Sequence, residues 1–281
     1  MNYVRMFFKD KKILVGATIL LTMVFVAIFA RYIAPYSPHY MGFTPLESPS
    51  FKHILGTTAT GQDVFSRVIW GTRMSLAVGL LVGLFTTVIS VILALISGYF
   101  GGIVDNVISL FINVFLVIPP LPLMIVLAAY MPSRGMWTII LVITVTGWAW
   151  GARTLRPQIM SLKNRDFVKA SIIVGESSFH TIFIDILPHT LGLIVANFFG
   201  TAMYAVISEA GLEFIGLGNV NDISWGTILY WAENDQAMFF GLWSWLLVPG
   251  ILIALLGTSM ALMNFAVDEI INPKLKGEKN G

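Results

Sequence analysis

Long apolar runs dominate the chain, separated by short polar stretches. A membrane-spanning helix needs about 20 mostly apolar residues to cross a hydrocarbon core of roughly 30 Å. Six segments approach that length: 13–33, 74–96, 107–130, 136–151, 191–208 and 242–267. The first lacks a small-residue cleavage site of the kind that ends a signal peptide, so it reads as a retained span. Between the segments lie a long loop at 34–73, a long loop on the opposite side at 152–190, and an intermediate stretch at 209–241 that contains no Lys or Arg. The pattern predicts an all-α polytopic membrane protein with six transmembrane helices. It divides into 1–73 (first span plus external loop), a core at 74–267 that contains the loop 152–190, and a tail at 268–281.

Composition supports that class. Of 281 residues, 57% are hydrophobic and only 11% charged, with a mean hydropathy of +0.82, whereas water-soluble domains carry about a quarter charged residues. A net charge of +2 without a basic block speaks against nucleic-acid binding. The absence of cysteine excludes disulfides, thiol nucleophiles and cysteine-held metal clusters. Lys and Arg are distributed unevenly. Arg5, Lys9, Lys11, Lys12, Arg153, Arg156, Lys163, Arg165, Lys169, Lys274, Lys276 and Lys279 fall on one side, against Arg31, Lys52, Arg67, Arg73 and Arg134 on the other. The positive-inside rule then predicts both termini, and the loop 152–190, in the cytoplasm.

Apart from Arg31 near the end of the first, the six segments as drawn contain no Asp, Glu, Lys or Arg. Ionisable groups that persist inside a membrane usually carry function, so their absence argues against a carrier driven by protons or sodium. No Gly-Lys dipeptide occurs, which leaves the chain without a phosphate-cradling loop of its own. The reading is therefore a non-enzyme that binds no cofactor and draws energy from a partner. In the loop 152–190, Phe167, Ala170, Ile173 and Val174 recur at helical spacing before Gly175, a plausible helix stop. A second helical stretch covers 177–187, and Pro188 is expected to start the fifth span, where its missing N–H is harmless. Periodicity alone fits either a partner-docking helix or an interfacial hairpin lying on lipid headgroups.

Three groups of residues carry a resemblance. Gly175, Ile186, Leu187 and Pro188 match the cytoplasmic Glu-Ala-Ala…Gly…Ile-Leu-Pro signature of permease subunits of ATP-binding-cassette importers, although the Glu-Ala-Ala positions read Lys169-Ala170-Ser171. The external stretch Leu55-Gly56-Thr57, Gly61-Gln62-Asp63-Val64, Ser66-Arg67 and Gly71-Thr72-Arg73 resembles the run that leads into the second span in the oligopeptide and dipeptide branch. So does Ser208-Glu209-Ala210 with Leu212, Phe214, Gly216-Leu217-Gly218 and Ser224-Trp225-Gly226, after the fifth span.

The resemblance implies a type I importer permease in the cytoplasmic membrane of a prokaryote. Its implied partners are a second homologous permease, two ATPase subunits that hold ATP and Mg, an external solute-binding protein and membrane lipid. Coupling to the ATPase would fall to Phe167, Lys169, Ala170, Ser171, Val174, Gly175 and Pro188. The solute would be an oligopeptide or dipeptide. The ending Asn264-Phe265-Ala266-Val267-Asp268-Glu269 with Asn272-Pro273 departs from the peptide members' pattern and keeps an oligosaccharide or another small solute open.

Smaller signals leave alternatives. Thr86, Thr87, Asn113, Thr144, Thr146 and Asn197 either line a polar path or hydrogen-bond within and between helices. Pro119, Pro120 and Pro122 predict a kink in the third span that serves either a gate or packing. His39 with His53, and His180 with His189, lack a third metal ligand at suitable spacing. Trp225, Trp231, Trp243 and Trp245 read as an interfacial aromatic belt. A six-span intramembrane serine protease would need a Gly-x-Ser-Gly segment, and Gly257-Thr258-Ser259-Met260 is the nearest approach.

Overall fold

A computed structural model describes residues 11–271; the Asn272-Pro273 ending and the cations at 5, 9, 274, 276 and 279 lie outside them. The described residues are helical between turns and loops, with one isolated bridge from Thr57 to Asp63. The helices are α1 (Lys11–Ile28), α2 (Ala30–Ile33), α3 (Val64–Phe100), α4 (Gly102–Val117), α5 (Pro120–Tyr130), α6 (Met136–Lys163), α7 (Asp166–Val174), α8 (Ser178–Phe214), α9 (Trp225–Asn234) and α10 (Ser244–Ile271). Five of them are long and apolar enough to cross a membrane, and the bent pair α4 and α5 supplies a sixth crossing if it counts as one. The chain is an all-α polytopic membrane protein.

Parallel α3 and α6 form the centre. The Ser90 hydroxyl donates to the Trp148 carbonyl at 2.7 Å, and Gly98 sits so close to Ile159 that a Cβ there would approach its side chain to 2.8 Å. Small residues also bring α8 onto α3: a Cβ on Gly79 would lie 2.5 Å from Val206, and one on Gly83 would lie 3.0 Å from Ala202. Such stripes let helices approach within lipid, where dispersion rather than water exclusion drives packing. The Asn264 amide donates to the Ala196 carbonyl at 2.6 Å, tying α10 antiparallel to α8. The Ser259 hydroxyl donates to Gly16 at 2.7 Å, and Lys12 pairs with Glu269, so α1 lies along α10. The start of α1, the end of α10 and the α7 loop therefore share one end of the bundle.

Several expectations change. The helices outrun the apolar segments. α3 begins at Val64, α6 continues to Lys163, and α8 runs through Glu209 and Glu213. The spans therefore do hold ionisable groups, near their ends, where partners offset the cost of burying charge. The guanidinium of Arg156 donates from Nε and Nη2 to both carboxylate oxygens of Asp105. The third span is no gently kinked rod, because α4 and α5 meet at 93°. Ile118 and Pro119 are extended, with ψ of 126° and 123°. A residue before proline is pushed out of the helical region, and Pro120 then starts α5 without wasting an N–H.

Pro188 stands in the first turn of the regular α-helical stretch Leu187–Phe214, as expected, but the span begins earlier, at Ser178. A π-helical turn at Thr181–Ile186 joins the two parts, with the Leu187 N–H reaching back to the Ile182 carbonyl. The wider turn accommodates the missing N–H and the ring. Trp225 and Trp245 are core residues rather than a belt; Trp225 donates its indole N–H to the Val68 carbonyl at 3.2 Å. The stretch 209–241 is thus a folded outer cap.

Candidate coupling loop and membrane groove

The loop between α6 and α8 has an inner and an outer face. Val168 is fully buried with Ile182 and Ile186 against Leu95 and Tyr99 of α3 and Leu155 and Ile159 of α6. This fixes α7 to the ends of two spans. One helical face turns in, so the other faces out: Ile173 and Val174 are 84% and 79% exposed, and Phe167 and Ala170 lie on the same outer surface. Lys169 is exposed and Ser171 partly so. α7 ends at Gly175, whose φ of +92° is left-handed, and the Glu176 N–H bonds the Ser171 carbonyl at 3.1 Å. Ser177 then caps the next helix by accepting from the His180 N–H at 3.2 Å. Pro188 is exposed at the root, beside His189, whose ring lies 5.0 Å from that of Phe167.

A cavity of about 420 Å³ opens at the α4–α5 bend. Leu116 and Pro120 from the bend, Thr146 and Trp150 from α6, and Asn197 and Tyr204 from α8 line it. Of the six residues read from sequence as path candidates, Thr146 and Asn197 are there. Asn113 borders a separate space with Arg153 and Arg156, Thr87 borders an apolar groove between α3 and α8, and Thr86 and Thr144 are buried with unpartnered hydroxyls. Trp150 and Tyr204 join Thr146 and Asn197 because the bend exposes the middle of α6 and α8, which the apolar pattern does not reveal.

At the other end, Glu209 and Glu213 are both fully buried. Glu209 accepts from the Ser75 hydroxyl at 3.0 Å, and Glu213 accepts from the Ser224 hydroxyl. The Trp225 N–H donates to the Ser75 oxygen at 3.1 Å. Gly226 leaves room for this, since a Cβ there would meet Glu213 at 2.8 Å. The matching segments around Ser75 and Ser208–Gly226 thus form one seam joining α3, α8 and α9. In the outer loop, His53 bonds Asp63 at 2.9 Å, and Asp63 caps α3 by accepting from the Ser66 N–H at 2.7 Å. Among the described residues, no group of three or more His, Asp or Glu is arranged to hold a metal.

Residues 90–276 match the family model described as the binding-protein-dependent transport system inner membrane component, and residues 2–49 match the N-terminal TM domain of oligopeptide transport permease C. The chain is 37% identical over 281 residues to the dipeptide transport system permease protein DppC of Escherichia coli strain K12, covering 96% of this chain and 91% of the relative. It is 33% identical over 272 residues to DppC of Bacillus subtilis strain 168, covering 95% and 83%. Among solved structures it resembles the MetNI methionine ABC transporter in inward-facing conformations. The TM-score is 0.56 at 21% identity, over 75% of this chain and 95% of that one, and the likeness is one of fold.

Proposed function

Because the chain belongs to the family of binding-protein-dependent transport system inner membrane components, in the oligopeptide and dipeptide branch of ABC importer permeases, we propose that it passes short peptides across the cytoplasmic membrane under the drive of partner ATPases. It is a multi-pass protein of that membrane with the type I importer fold. The proposed assembly has a second permease, two ATPase subunits that hold ATP and Mg, and an external solute-binding protein. Both termini and the α7 loop face the cytoplasm.

One observation carries the coupling role: α7 is anchored inward by Val168 and presents an apolar outer face that nothing among the described residues covers. A groove on an ATPase would bury that face. Movement of the groove would pass through the Val168, Ile182 and Ile186 contacts to α3, α6 and α8, rocking the spans between inward and outward openings. The 420 Å³ cavity at the bend would be this chain's share of the path. Similarity to dipeptide permeases favours peptides over oligosaccharides.

The test uses Gly175→Val and Ala170→Glu in the assembled complex. A valine at φ +92° is strained by on the order of 1–2 kcal/mol, and a buried unpaired charge opposes docking. Both variants are expected to insert in the membrane yet lose ATPase co-purification and binding-protein-stimulated hydrolysis. Normal coupling in both would refute the role given to the loop.

A further inference from the structure

Arg67, in the first turn of α3, is only 7% exposed. Its Nη1 donates to the side-chain oxygen of Gln62, its one side-chain partner among the described residues. Among the described residues, no carboxylate forms an ion pair with it. Asp63, the nearest acid in sequence, is taken up by His53 and Ser66. A guanidinium has five N–H donors, and enclosing one without a counter-charge is costly. None of its remaining N–H groups is sealed from solvent.

Arg67 lines a cavity of about 160 Å³ on the outer side, between the loop 34–63 and the cap that carries α9. Thr58, Thr60, Asn221, Trp231 and Asp235 also line it, and Asp235 makes no ion pair with Arg67. At its rim Met41 is 63% exposed, next to exposed Tyr40, and the same loop exposes Phe51 and Ile54. Exposed aromatics and methionine around an arginine are typical of protein-binding surfaces, where Arg is often an energetic anchor.

We infer that this cavity receives an Asp or Glu side chain of the docked solute-binding protein, which pairs with the Arg67 guanidinium. A carboxylate matches the planar fork of N–H donors, and the apolar rim would shield the pair from water. The inference rests on the proposed reading that an external protein delivers the solute.

The test uses the complete complex in lipid nanodiscs and the solute-binding protein that stimulates its ATP hydrolysis. Arg67→Gln removes the cation. Asn221→Glu keeps it and offers an internal carboxylate from an exposed position on the lining. Each is expected to weaken binding-protein association at least tenfold, with ATPase co-purification as the check on assembly. Substituting each Asp and Glu of the binding protein in turn is expected to find one whose loss is non-additive with Arg67→Gln. Full-strength association of assembled Asn221→Glu overturns the inference, as does the absence of any coupled acid. So does a free dipeptide that raises the Tm of the wild type but not of Arg67→Gln while its C-terminal amide does nothing, since the cavity would then take solute. If no binding protein stimulates the wild-type complex, the delivery reading itself fails, and this inference falls with it.

Discussion

Asp105 and Arg156 lock the inner end of α4 to α6 through a two-pronged ion pair, Nε to Oδ1 and Nη2 to Oδ2, with Ser109 donating a further bond at 3.2 Å. Planar pairing of this kind depends on the guanidinium shape, which an ammonium lacks. Asp105→Ala is therefore expected to cost about 1.5–3 kcal/mol, the range for hydrogen bonds to charged groups. Arg156→Lys should recover only part of the wild-type value. Thermal unfolding in detergent of the two single variants and the double variant measures the coupling, and strict additivity would show that the pair contributes nothing of its own.

Val168 and Ile173 lie on different faces of the short helix α7, one fully buried and the other 84% exposed. A charge at Val168 must enter the cluster formed with Leu95, Leu155 and Ile186, so Val168→Asp should lower Tm and yield through a buried unpaired charge of several kcal/mol. Ile173→Asp should leave Tm within a few degrees and instead reduce ATPase co-purification. Equal stability loss in the two variants would mean that the outer face packs on the chain itself.

Much of this loop was legible in sequence. Phe167, Ala170 and Val174 mark one helical face, and Gly175 marks its end, as the left-handed φ agrees. The inward anchor Val168 was not, because a lone valine between Phe167 and Lys169, off the Phe167–Ala170–Val174 face, carries no periodic signal. Apolar runs located the spans but not their ends: α8 extends through Glu209 and Glu213 because Ser75 and Ser224, distant in sequence, satisfy those carboxylates. The same limit hid Arg67. Its burial depends on the loop 34–63 folding over the start of α3, a tertiary event that hydropathy does not encode.

The Glu209 and Glu213 seam yields a third expectation. The two carboxyl groups stand one helical turn apart, both fully buried, and no cation pairs with either among the described residues. Carboxylates enclosed together repel each other whenever both are ionised. An amide at either position keeps the shape and the hydrogen bonds while removing one charge. Glu213→Gln is thus expected to hold stability within about 1 kcal/mol, whereas Glu213→Ala removes the carboxylate acceptor of the buried Ser224 hydroxyl and costs about 1–3 kcal/mol. Thermal unfolding of both variants decides it, and an equal loss would mean that the carboxylate charge itself is required.

Gly151 lies where α6 touches both α3 and α8. A Cβ there would come within 2.6 Å of the Ser90 oxygen and 2.6 Å of the Asn197 amide nitrogen. Real side chains do not approach so closely, and both neighbours are constrained: Ser90 is fixed by its bond to the Trp148 carbonyl, and Asn197 is packed beside the groove. Gly151→Ala must therefore push the helices apart, at about 1–3 kcal/mol for overpacking. The extra methyl also turns Asn197, which lines the 420 Å³ cavity. The combined expectation is a lower Tm together with altered solute uptake in the variant that still assembles. Asn197→Ala in the Gly151→Ala background removes one of the two clashing groups, so it should restore part of the lost stability without restoring uptake. If Tm stays unrestored in that double variant, the clash lies with Ser90 alone, and Gly151→Ala would then bear on packing and not on the groove.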